Sequence, residues 1–154
     1  MIVYRFSHPK FAGELSGTGA RLKGGRWNPA GIPVLYTSAT ISLALLEVLA
    51  NASTLEELQL IQLMEIEIPN PIGYQEIKLQ SLKKEWYDDF DYTQWMGQEI
   101  LKNRKTLLLQ CPSAIVHREY NYLINPLHPD FKKIKLDSSS RFYFDERLFK
   151  REKA

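Results

Sequence analysis

The sequence has a single cysteine, Cys111, among 154 residues, so no internal disulfide can form. It has no apolar run near the roughly 20 residues needed to cross a bilayer, which leaves no candidate membrane span. The opening MIVYRFSHPK has no long apolar stretch behind a basic one, so it does not read as a secretion signal. With the lone thiol, this predicts a cytoplasmic chain without a membrane partner. An excess of charge is also missing. Lys and Arg number 20 against 18 Asp and Glu, and a net charge of +2 is too small by itself to attract nucleic acid. His8, His117 and His128 are scattered, with no pair at metal-ligand spacing on one element, so no metal site is expected. Repeats, low-complexity tracts and linkers are absent as well.

What is present suits one packed domain covering 1–154. Apolar residues make up 44% and charged residues 25%, and a chain of this length buries roughly 70% of its unfolded surface. Ile2 to Phe6 is β-branched and aromatic and reads as a strand. Ser7 to Gly25, with its glycines and a proline, reads as a long loop ordered by something bound. Pro33 to Thr37 reads as a strand, followed by a helix to about Ala50 capped by Ser38 or Thr40. A strand is expected over Leu60 to Ile68, stopped by Pro69 and Pro71, and a helix over Tyr92 to Arg104. Further strands are expected at Leu107 to Gln110, Ala114 to His117, Ile134 to Leu136 and Arg141 to Phe144, and Asn121 to Asp130 is turn-rich, with Asn125-Pro126 fixing a loop. The expectation is an α+β fold with mixed, largely antiparallel sheets and a few helices.

Two charged residues stand out. Arg26 follows Gly24-Gly25 and precedes Trp27, at the entry to a strand. Glycines let a backbone adopt positive φ and approach a ligand, and a guanidinium offers a rigid fork of donors for phosphate or carboxylate. The other reading is an arginine at a turn, paired with an acid or stacked on Trp27. Glu47 is the only charged side chain from Trp27 through Leu55. Helical spacing puts Thr40, Ala44, Glu47 and Asn51 on one face, which is either the wet face of the helix or the wall of a cleft. A carboxylate among apolar walls is suited to stabilising a developing positive charge. Tyr36 is core or offers a flat face and a hydroxyl to an aromatic ligand. Ser113 donates to a ligand or caps a turn, and without a G-x-S-x-G elbow it is no hydrolase nucleophile. The basic residues Lys132, Lys133, Lys135, Arg147, Lys150 and Arg151 lie among acids and aromatics. They read as a solvated face, or else as a patch for nucleic acid or an acidic partner, which would make the chain a non-enzymatic binding module.

The stretches LSGTGARLKGGRWNPAGIPVLYTS, ALLEVL and CPSAIVHREYNYLINPLHPDF, in that order and spacing, resemble the RES domain, named for its Arg, Glu and Ser. The resemblance runs from VYRF near the N-terminus to NPLHPDF, and the segment from about Tyr74 to Lys105 adds little. It implies a fold similar to ADP-ribosyltransferase toxins, with NAD as substrate and no further cofactor. It also implies a toxin of a bacterial toxin–antitoxin pair with an Xre-type helix-turn-helix antitoxin. In such a pair the toxin forms a homodimer and meets nucleic acid only through the antitoxin. The implied activity is cleavage of NAD by hydrolysis, or by phosphorolysis with inorganic phosphate as co-substrate; protein ADP-ribosylation is the alternative. Carried over by position, the family's Arg falls on Arg26, its Glu on Glu47, its Ser on Ser113, its strand Tyr on Tyr36 and its first-strand Arg on Arg5.

Overall fold

The computed structural model describes residues 1–70 and 73–149. The expected stop at Pro71 and the basic residues Lys150 and Arg151 lie outside them. Among these residues seven strands form one sheet: β1 (Ile2–Ser7), β2 (Leu35–Ser38), β3 (Gln62–Glu67), β4 (Tyr74–Glu76), β5 (Leu108–Pro112), β6 (Tyr120–Ile124) and β7 (Lys135–Arg141). Their order is β4-β5-β6-β2-β1-β3-β7. Only β4 and β5 run parallel; the other neighbours are antiparallel. Among the described residues four α-helices accompany it: α1 (Thr18–Lys23), α2 (Ile41–Asn51), α3 (Leu55–Gln59) and α4 (Phe90–Leu101). The mixed, mostly antiparallel sheet with few helices is the α+β fold expected.

Most strands fall where β-branched and aromatic runs place them, with some differences. Ser7 to Gly25 is not structureless: it contains a 3-10 turn, Pro9–Phe11, and α1. Gly17 and Gly24 bound α1 with φ of 71° and 73°, a left-handed conformation that glycine adopts without a Cβ penalty. Ala114 to His117 is not a strand. The Ser113 hydroxyl accepts the backbone N–H groups of Ile115 (3.0 Å) and Val116 (3.1 Å), and this local side-chain capture replaces a ladder. The strand lies further on, at β6, which takes Asn121 out of the expected turn region. Asn125 does fix the loop that follows, donating to the Leu101 and Thr106 carbonyls at 3.0 Å each.

Of the strand expected at Arg141 to Phe144 only Arg141 lies in a strand, and 142–144 form none; the strand expected near Ile134 is the longer edge strand β7. Its serine-rich middle hides the pattern, because Ser138 and Ser139 bond across to Glu65 and Gln62 rather than entering a core. α3 and β4 carry too few residues for a periodic signal. Thr40, not Ser38, caps α2 by accepting the Leu43 N–H at 3.1 Å.

The sheet has an apolar layer on each side. Val3, Leu35, Ile66, Leu108 and Ile124 belong to one cluster; Trp27, Trp86, Leu101, Leu109, Cys111 and Leu123 form another, beneath α4. A third, around Phe6, Ala44, Leu58 and Leu63, seats α2 and α3. The central pair β1 and β2 meets in register at one position only, Tyr4 opposite Ser38. A cavity opens at that parting.

Candidate functional site

The cavity holds about 710 Å³, within the roughly 300–1,000 Å³ of ordinary small-molecule sites. Its wall takes Arg5 from β1, Tyr36 and Ser38 from β2, Glu47 from α2 and Asn121 from β6. The loop after α1 contributes Gly24 to Trp27. Four of the five residues singled out from the sequence therefore share one space. Ser113 is the exception: it has no solvent exposure and lies behind the wall.

Arg26 is held on three sides. Its Nη1 donates to the Tyr87 carbonyl at 2.6 Å, and its guanidinium carbon lies 4.0 Å from the centre of the Phe90 ring. Its own carbonyl accepts the Thr93 hydroxyl at 2.6 Å, while Gln94 donates to the Gly25 carbonyl at 2.9 Å. α4 thus grips the loop by its backbone, and Gly97 lets the helix come close: a Cβ there would meet the Trp27 oxygen at 1.8 Å. Burial pulls the Arg26 guanidinium below its ordinary range, offset in part first by the charge of Glu47 and then by that of Asp88.

The glycine pair has a role within the loop itself. Gly25 bridges to Asn28, and a Cβ on it would stand 2.7 Å from the Tyr36 hydroxyl. That hydroxyl donates to Asn28 Oδ1 at 2.6 Å and accepts the Trp27 N–H at 2.9 Å. Tyr36 is thereby the strut of the arginine loop, and burial pushes its phenol well above the ordinary range. Its hydroxyl is committed; its ring remains on the cavity wall. Asn28, fully buried, completes the loop by donating to the carbonyls of Ala20 (2.9 Å) and Ile32 (2.8 Å).

Arg5 lies in the parting of the sheet. One nitrogen donates to the Tyr36 carbonyl at 3.0 Å, and burial lowers its pKa. Among the described residues no carboxylate is in ion-pair contact with it. A desolvated guanidinium with unspent donors is suited to receive an anion.

Glu47 is half-buried on the wall of this cavity. Ala44, Val48 and Asn51 of the same helix line the space beside it, which favours the cleft reading of that face. One carboxylate oxygen, Oε1, accepts both the Ser113 hydroxyl (2.8 Å) and the Asn121 amide (2.6 Å). Ser113 therefore caps a turn and holds Glu47 at once. Beneath them Cys111 is fully buried; burial, and then the Glu47 charge, push its thiol up, so it is no nucleophile.

Asn121, Asn28, Thr93 and Tyr87 were not legible as site residues. Asn121 alone left a signal, an asparagine inside a Tyr and Leu strand run where that residue is depleted. Two of the basic residues of the C-terminal segment pair with its own acids, Lys133 with Asp130 at 3.0 Å and Arg147 with Asp145 at 2.7 Å. Among the described residues no group of three His, Cys, Asp or Glu could hold a metal ion, and no helix is long and apolar enough to cross a membrane.

A protein named Toxin Res from Photorhabdus laumondii is 38% identical over 99% of this chain and 100% of its own length. The Prs ADP-ribosylating toxin of Sphingobium sp. is 32% identical over 91% of this chain and 89% of its own. In fold, a chain of the crystal structure of the M. tuberculosis MbcT-MbcA toxin-antitoxin complex superposes with a TM-score of 0.74 at 20% identity, covering 92% of this chain and 83% of that one. The RES domain model matches residues 2–145, nearly the whole chain, and the chain belongs to the RES domain family.

Proposed function

We propose that this protein is the toxin of a toxin–antitoxin pair and that it acts by cleaving the N-glycosidic bond of NAD. The observation that carries the reading is the opposition, in one cavity, of a clamped carboxylate and two partly desolvated guanidiniums. NAD has complementary chemistry: an anionic diphosphate and a glycosidic bond whose rupture leaves positive charge on the ribose. The family membership and the relatives named Toxin Res support the toxin role.

In this mechanism Arg5 and Arg26 hold the diphosphate, each charge-assisted contact contributing about 1.5–3 kcal/mol. The Tyr36 ring lies against nicotinamide or the adjacent ribose. Glu47 bonds the ribose hydroxyls and stabilises the oxocarbenium-like transition state. The bond from ribose carbon to nicotinamide nitrogen breaks, and its electron pair leaves with neutral nicotinamide. Water then bonds to the ribose carbon and releases a proton, giving ADP-ribose; phosphate as acceptor gives the sugar 1-phosphate instead. Ser113 acts through Glu47 rather than on the ligand.

The partner is an Xre-type antitoxin, and the toxin forms a homodimer in the cytoplasm, where the NAD pool lies. A second reading keeps the cavity and changes the acceptor to a protein side chain; it is favoured by the Sphingobium relative's name. Incubating the purified protein with labelled NAD, with and without phosphate, separates these. Free nicotinamide with ADP-ribose or its phosphate supports cleavage. Label on a protein band supports transfer, and intact NAD under all conditions overturns both.

A further inference from the structure

We infer that Asn121, oriented by Ser38, is a positioning residue that sets which oxygen of Glu47 meets the ligand; this rests on the NAD-cleavage reading above. Ser38 and Asn121 stand directly opposite each other in the β2–β6 ladder. The Ser38 hydroxyl donates to Asn121 Oδ1 at 2.7 Å, and Asn121 Nδ2 donates to Glu47 Oε1 at 2.6 Å. An asparagine amide can turn over, exchanging its donor and acceptor ends. Ionised Glu47 only accepts, so the amide must turn Nδ2 to it; the Ser38 hydroxyl then donates to the Oδ1 end and holds the amide in that orientation.

The Ser113 hydroxyl takes the same carboxylate oxygen, so Oε1 carries two donors from the protein. Oε2 has no hydrogen bond from the protein among the described residues and is left for the ligand. A carboxylate on a flexible two-carbon stem is thereby held in one rotamer before any ligand arrives. Such preorganisation acts in the transition state, where misplacement of a charge by about 1 Å lowers rate by up to ~100-fold. The three side chains come from α2, β6 and β2, so only the folded sheet assembles the relay. Ser38 is nearly buried, at 4% exposure, and serves Glu47 through the amide.

The test uses the variants N121A, N121D, S38A and N121A/S38A, each checked for parental melting. Expected is a fall in kcat of about 10- to 100-fold for N121A with KM changed by less than about threefold. N121D keeps the shape but sets a carboxylate against Glu47, and kcat falls at least as far. A residue that only filled space or joined strands would leave N121D near the parent. S38A loses a smaller factor, and in the N121A background the same change has no further effect, because Ser38 acts only through the amide. Crystal structures of N121A and S38A give a second readout, independent of turnover: Glu47 is expected to leave its single rotamer. Parental kcat in N121A, or an unmoved Glu47, overturns the inference while the cleavage reading stands. Intact NAD with the parent protein overturns that reading instead, and the Glu47 rotamer still decides the positioning role.

Discussion

The two sides of the cavity are held by different means. Arg26 is gripped through backbone: its side chain donates to the Tyr87 carbonyl, and its own carbonyl and that of Gly25 accept from α4. Glu47 is gripped through side chains, the Ser113 hydroxyl and the Asn121 amide, both on one oxygen. On the cation side the acceptors are backbone carbonyls, which every residue carries, although two of the donors are the Thr93 hydroxyl and the Gln94 amide. On the anion side donors and acceptor are all side chains. The cation is thus placed by a loop whose backbone is held, and the anion directly by two polar side chains.

The largest effect expected from breaking this contrast is at the anion itself. Glu47→Gln keeps the shape and both donors but removes the charge, and NAD turnover should fall at least about a hundredfold with melting unchanged. Turnover like the parent's would remove Glu47 from the chemistry. Next comes the grip on that anion. Ser113→Ala strips a donor from Oε1 and an acceptor from two backbone N–H groups, so it should cost about 1–3 kcal/mol of stability as well as turnover. Denaturant unfolding beside kinetics reads both losses, and an unchanged midpoint would contradict the cap.

The cation side should respond differently. Arg26→Ala should raise KM for NAD about 10- to 100-fold while the loop keeps its backbone bonds and the protein melts as before. A collapse in melting temperature would make Arg26 structural.

The smallest effect is beneath the site. Cys111 and Tyr36 both have raised pKa values in the fold, chiefly through burial. The unfolded chain gives up these protons first, so the contribution of these two groups is fully present below about pH 8.5 and is lost as pH rises past the ordinary thiol and then the phenol near 10. Melting temperature across this range should decline in the parent, and in Cys111→Ala the decline should begin closer to pH 10. The same onset in both would show that the thiol carries none of it.

Much of this was written in local patterns. β1, β2, β3 and β5 follow from apolar and β-branched runs, and α2 from its period and its Thr40 cap. Arg26 stood out between a glycine pair and a tryptophan, and Glu47 as the only charge in an apolar stretch. The resemblance to the RES domain tied these two to Ser113, Tyr36 and Arg5. The errors came where a side chain overrode the local pattern. Ser113 captures two N–H groups, so Ala114 to His117 forms a turn. The serines of β7 bond across an edge strand and so mask its length.

By itself the sequence determined the fold class, the family and the chemical types at the site, because periodicity, caps and motif spacing are local along the chain. Tertiary structure alone decided that Gly25 makes room for the Tyr36 hydroxyl, that Ser113 stands behind Glu47 and not in the cavity, and that Arg5 occupies the parting of the sheet with no carboxylate partner among the described residues. It also decided that Ser38 aims Asn121 at Glu47. Those contacts join residues up to 83 positions apart, and a hydrogen bond across that separation depends on sheet register, which no local pattern records.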